Sequence, residues 1–156
     1  MKLLLFYGPP SINLIEKVRN IISYNTIIIN TVDLLREQLI IEKELSQQII
    51  EGKTIPNSKI IELLWGAIKI KSKKNIENCL VFGFPLNIEQ LKSCKYLYSV
   101  SNIDDIYLFF FSQNVSKIKN DINIDLIKKY VKDYKINLIE CDGDSTLLKI
   151  KEIINS

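Results

Sequence analysis

Five short apolar runs, separated by helix-like stretches, constrain the fold of this chain more than any other feature. They are Leu3 to Tyr7, Thr26 to Asn30, Cys79 to Phe82, Ile106 to Phe111 and Ile136 to Cys141. Short continuous apolar runs bounded by turn residues fit strands buried on both faces. Between them the apolar residues recur at helical spacing. Ile12, Ile15, Val18 and Ile22 mark a helix over Ile12 to Tyr24. Asp33 to Leu39 and Glu42 to Ile50 read as two short helices, the second stopped by Gly52. Pro56-Asn57-Ser58 opens a longer helix with Ile60, Ile61, Leu64, Trp65 and Ile68 on one face. Ile88 to Tyr98 and Leu126 to Tyr134 are further helices, and Val115 to Ile118 a helical turn or two. Asp142-Gly143-Asp144-Ser145 is a turn with a helix cap, and the last helix runs over Thr146 to Ile154. Strands alternating with helices imply βαβ units and a parallel sheet covered on both sides. No linker, repeat or low-complexity tail interrupts the pattern, so residues 1–156 read as one domain.

Composition narrows the classes of function. Apolar residues are 47% and charged residues 25% of the 156, values ordinary for a globular protein. A net charge of +3 is too mild to imply nucleic acid by itself. The basic cluster Lys69, Lys71, Lys73 and Lys74 reads first as a solvated helix end, with contact to an anionic partner surface as the other reading. Three cysteines at irregular spacing (Cys79, Cys94, Cys141) argue against a disulfide framework or a zinc site. With no histidine in the chain, imidazole catalysis and histidine metal ligation are excluded. The apolar N-terminal run is too short for a signal peptide or a membrane span. The expectation is a cytoplasmic protein in a reducing compartment, with no membrane partner.

In a parallel sheet of this kind ligands bind at the carboxyl ends of the strands, so the first strand-to-helix turn is the place to look. It reads Gly8-Pro9-Pro10-Ser11-Ile12-Asn13-Leu14-Ile15-Glu16. A working phosphate loop wraps phosphates in backbone N–H groups, reaches them with a lysine, and holds magnesium with a Ser or Thr. This turn has one glycine and two prolines, which offer no N–H. Ile12 and Leu14 would crowd a phosphate, and Glu16 would repel it. On its own it reads as an ordinary βα connection.

Three later segments give the loop a context. Thr31-Val32-Asp33-Leu34-Leu35-Arg36 resembles a T-G-D-L-L-R segment, and Glu51-Gly52-Lys53-Thr54-Ile55-Pro56-Asn57 a G-x-x-V-P-D segment. Val81-Phe82-Gly83-Phe84-Pro85-Leu86 with Gln90 resembles D-G-F-P-R-x-x-x-Q. In that order, after an N-terminal βα turn, they resemble adenylate kinases and their nucleoside-monophosphate-kinase relatives. The likeness is good over about residues 1–95 and looser from 105 to 156. It implies a three-layer α/β/α, P-loop NTPase-like fold with five parallel strands in the order 2-3-1-4-5. It also implies an AMP-binding-like helical insertion over about residues 31–70.

The resemblance further implies that Thr31, Arg36, the backbone at Ile55, Gly83 and Gln90 fall on the family's AMP pocket. There the arginine takes the AMP phosphate and the glutamine reads the adenine edge. The other half of the family's site is degenerate here. Leu14 stands in place of the loop lysine in an ungapped alignment, and Asn13 with a one-residue deletion. Glu16 or Ile15 replaces the magnesium-binding threonine, and Val32 the glycine of T-G-D-L-L-R. Phe82 replaces the aspartate that organises magnesium, and Leu86 the second phosphate-gripping arginine. Only Ser112 to Asp125 separates Phe111 from Leu126, with no arginine, where the family inserts its lid. The chain's two arginines are Arg19 and Arg36, and only Arg36 falls on a motif.

Phosphoryl transfer is almost wholly positioning and electrostatic stabilisation, single contacts being worth on the order of 10² to 10⁵ in rate. The expectation is therefore a pseudoenzyme with no catalytic residue and no metal site. It would act as a binding or scaffold protein within a protein or ribonucleoprotein assembly. Gly8, Pro9, Pro10, Ser11, Asn13 and Leu14 would form its degenerate phosphate loop. AMP is the one ligand the surviving residues suggest, and neither ATP nor magnesium is expected. The rivals are a divergent but active ATP:AMP phosphotransferase, disfavoured by the loop and the absent lid, and an AMP sensor, favoured by Arg36 with Gln90. The aromatic run Phe109-Phe110-Phe111 reads as sheet core.

Overall fold

A computed structural model of the protein describes residues 1–8, 11–72, 75–99, 102–111, 124–141 and 145–156. Five parallel strands form one sheet: β1 (Lys2–Phe6), β2 (Thr26–Asn30), β3 (Asn78–Phe82), β4 (Asp105–Phe111) and β5 (Asn137–Cys141). Their spatial order is β2-β3-β1-β4-β5, as the family resemblance implies. Phe6 pairs with Phe82 in register, and Leu5 with Leu108. Central strands β1 and β3 are buried nearly throughout, which is why their sequences read as unbroken apolar runs.

The helices are α1 (Ile12–Arg19), α2 (Thr31–Ile41), α3 (Lys43–Ile50), α4 (Asn57–Lys71), α5 (Ile88–Ser93), α6 (Ile124–Asp133) and α7 (Thr146–Asn155), with a 3₁₀ helix over Cys94–Ser99. They divide the core in two. On one face, α1 and α7 cover Leu4, Phe6, Leu80, Phe82 and Phe109. On the other, α4, α5 and α6 cover Leu3, Leu5, Tyr7, Val81, Phe84 and Phe110. This is a three-layer α/β/α fold.

Two helices are shorter than their apolar periodicity suggests. α1 ends at Arg19 rather than continuing to Tyr24: the chain turns at Asn20 and Ile21, where the Ile21 N–H makes a tighter three-residue bond to the Val18 carbonyl at 3.0 Å, which also accepts the Ile22 N–H at 3.2 Å. Ile21 and Ile22 still reach the core from the turn, which preserves the apolar spacing without the helix. The stretch Ile88 to Tyr98 divides into α5 and the 3₁₀ helix. At Gly52, φ of +76° lets the chain leave α3, the left-handed conformation that glycine adopts without strain.

The expected turn at Val115 to Ile118, the stretch Asp142 to Asp144, Lys73, Lys74 and most of Ser112 to Asp125 lie outside the described residues. Among the described residues no helix is long and apolar enough to cross a membrane. All three cysteines are buried, and none is joined in a disulfide. Burial pushes the Cys79 thiol up to about 12 and raises that of Cys94 as well.

Candidate functional site

The site expected from the sequence lies where β1 and β3 end. Gly8 leaves β1 at φ of +101°, a conformation that an L side chain rarely adopts. Its N–H donates to the Pro85 carbonyl at 3.0 Å, and the Tyr7 N–H to the Phe109 carbonyl at 3.0 Å. The Gly8 N–H is thus spent on the neighbouring β3 exit. Pro9 and Pro10 lie outside the described residues. Ser11 caps α1: its Oγ accepts the Leu14 N–H at 3.4 Å, so a side chain of the loop itself occupies a helix N-terminal donor. Ile12 and Asn13 are exposed.

Beneath this turn the chemistry is apolar. The side chain of Phe82 is buried, its ring stacked on Phe6 with centroids 4.2 Å apart and planes 12° from parallel. Phe6 stacks in turn on Phe109, at 4.8 Å and 18°. Three phenylalanines therefore lie side by side across β3, β1 and β4. Each such pair is worth about 0.5–1.5 kcal/mol beyond its buried area. Leu14 is half-buried and packs against the same cluster, which also holds Ile15 and Val18 from α1. The positions that the resemblance gives to a magnesium-organising aspartate and, in the ungapped alignment, to a phosphate lysine are parts of one apolar layer. Glu16 is exposed.

The other half of the site is polar and internally bonded. Thr31 is the first residue of α2 and is buried; its hydroxyl donates to the Gly83 carbonyl at 2.9 Å and lies 3.2 Å from that of Phe82. The cap of α2 is Asn30, whose Oδ1 accepts the Val32 N–H at 3.2 Å while its amide donates to Asp33. Gln90 is only 1% exposed. Its Oε1 accepts the Leu86 N–H at 2.8 Å, and its Nε2 donates to Asn57 Oδ1 at 2.9 Å. Asn57 Oδ1 also accepts from Asn87 Nδ2 at 3.1 Å, and the Asn57 amide donates to Glu89. Asn87 Oδ1 in turn caps α5 through the Gln90 N–H. This network clasps the start of α4 to the start of α5.

Arg36 stands apart from the clasp. Its side chain is 74% exposed and forms an ion pair with Asp33, one turn back on α2, at 3.5 Å. Ile55 is half-buried in the irregular segment between α3 and α4. Gly83 is buried at φ of +77°, immediately before Phe84 and a cis Phe84–Pro85 bond. Trp65 on α4 meets Phe84 edge-on, with centroids 5.7 Å apart. Leu86, where the resemblance has a second arginine, is 44% exposed.

Sequence reasoning singled out Thr31, Gly83 and Gln90, which lie around the β3 exit, but missed Asn57 and Asn87, which bind Gln90. Asn87 was legible from cap spacing, three residues before Gln90 at the opening of a helix. Among the described residues no group of three or more cysteine, aspartate or glutamate side chains is placed to hold a metal ion.

No protein-family model matches the chain, and no curated protein matches it in sequence. Solved structures do match its fold. The tunicamycin resistance protein of Deinococcus radiodurans superimposes with a TM-score of 0.56 at 11% sequence identity, over 99% of this chain and 96% of that one. At that identity the likeness is one of fold.

Proposed function

We propose that this chain is a catalytically inactive, adenylate-kinase-like pseudoenzyme that serves as a binding or scaffold protein in a larger protein or ribonucleoprotein assembly. The observation that carries the reading is the layer formed by Phe6, Phe82, Phe109 and Leu14. Phosphoryl transfer needs fixed charges around the transferred group. The residues at this turn are apolar where those charges belong, and a magnesium-bound triphosphate does not fit them. The cytoplasm is the compartment this reading implies.

Turnover tests it. Purified protein, at high concentration in a coupled assay, should form no ADP from AMP and ATP. Turnover in the range of ~1–100 per second that Arg36→Ala removes would overturn the reading in favour of a divergent active kinase.

A surviving AMP half-site is a secondary reading, favoured by the burial of Thr31 and Gln90 beside Gly83. Two observations weigh against it. The Gln90 amide is already bonded at both ends, and Arg36 is paired with Asp33. Millimolar AMP should therefore leave the thermal midpoint unchanged. A rise in midpoint that Arg36→Ala abolishes would establish the half-site and the sensor role with it.

A further inference from the structure

Strand β2 ends the sheet, with β3 its only strand partner among the described residues. The Asn78 N–H bonds to the Asn25 carbonyl at 3.2 Å, one residue before its register partner Thr26. In a parallel ladder this sets Asn25, Ile27 and Ile29 to face β3, and turns the N–H and C=O of Ile28 outward. Among the described residues neither outward group of Ile28 has a hydrogen-bond partner. Beside Ile28 lies a cavity of about 200 Å³, lined also by Arg19, Asn30, Asp33, Glu37 and Lys71. Arg19, Lys71 and Glu37 form no ion pair among the described residues, and Asp33 pairs with Arg36, which does not line the cavity. The four charges therefore do not neutralise one another.

The lining selects by charge and by size. A simple anion would meet Asp33 and Glu37, a simple cation Arg19 and Lys71, and an uncharged molecule would leave both signs idle. A compact molecule that carries one charge of each sign uses both. Pockets for drug-sized ligands run to roughly 300–1,000 Å³, so this smaller cavity does not suit a nucleotide. Ile28 and Leu34, both half-buried, give it an apolar wall. We propose that the cavity binds a free α-amino acid with a small aliphatic side chain. Glu37 and the Ile28 carbonyl accept from its ammonium, while Arg19, Lys71 and the Ile28 N–H donate to its carboxylate. Bonds of this kind between ionised and main-chain groups are the stronger class of hydrogen bond. The catalytic state of the chain does not enter into this inference.

Calorimetric titration of the whole chain with L-alanine and L-valine tests it. Saturable binding in the millimolar range is the expected result. N-acetyl-L-alanine lacks the ammonium and L-alaninamide the carboxylate, and each should bind about tenfold more weakly or worse. Glu37→Gln and Lys71→Met, both at exposed positions, should each weaken L-alanine about tenfold. Glu37→Gln should leave the residual binding of N-acetyl-L-alanine unchanged, a selectivity that general destabilisation would not produce. Glu140→Gln on the opposite edge should change nothing. Absence of binding at ligand concentrations on the order of 10 mM overturns the inference. Equal binding of the acetylated compound overturns it in favour of an anion site at Arg19 and Lys71. Binding indifferent to the Glu37 and Lys71 changes lies elsewhere and overturns it equally.

Discussion

The two halves of the candidate site are built from different chemistry. At the β1 exit phenylalanine and leucine fill the space with packed rings and methyl groups. Around the β3 exit the residues are polar, and their hydrogen bonds run within the protein: Thr31 to the Gly83 carbonyl, Gln90 to Leu86 and Asn57. The first half is apolar, while the second turns its polarity inward. A buried polar residue at a motif position is therefore no sign of a ligand. A buried amide needs partners whether or not a nucleotide supplies them.

The sharpest way to break this comparison is to put a charge into the apolar half. Phe82→Asp removes a buried ring and leaves a carboxylate among phenylalanines. Loss of a buried Phe alone costs about 3–5 kcal/mol, and an unpaired buried charge adds to it. Urea denaturation should show a loss of at least that size, or no folded protein. Retention of stability within about 1 kcal/mol would show that the layer admits water and is open to ligands.

Gln90→Ala addresses the polar half. It strands the Leu86 N–H and removes a donor to Asn57, and should cost about 1–3 kcal/mol by the same measurement. If the change is neutral, the clasp between α4 and α5 is not structural and Gln90 is free for another task.

Arg36→Ala should have the smallest effect, within about 0.5 kcal/mol, because its ion pair with Asp33 is exposed. A larger loss would mean that Arg36 has a role in the fold that its exposed ion pair with Asp33 does not explain.

Much of the fold was legible because the sheet is covered on both sides. Such strands announce themselves as unbroken apolar runs such as Cys79 to Phe82, and all five are present. Their order came from the resemblance, since βαβ alternation alone does not fix which strands are neighbours. The end of α1 was not legible: Ile21 and Ile22 reach the core from a turn as they would from a helix. The residue types of the site were legible, because a proline without an N–H and a leucine without a charge are properties of residues. What Gln90 does was hidden, because its amide partner Asn57 is 33 residues away in sequence. Whether a side chain is free or engaged is a property of packing.

Trp65 has an optical consequence. It is the chain's one tryptophan, and its indole meets Phe84 on the α4 side of the sheet. The phenylalanine layer lies on the opposite face. Intrinsic emission therefore reads one side of the sheet without any label. It should respond to disturbance of the Gly83–Gln90 segment and be blind to local change under α1 and α7.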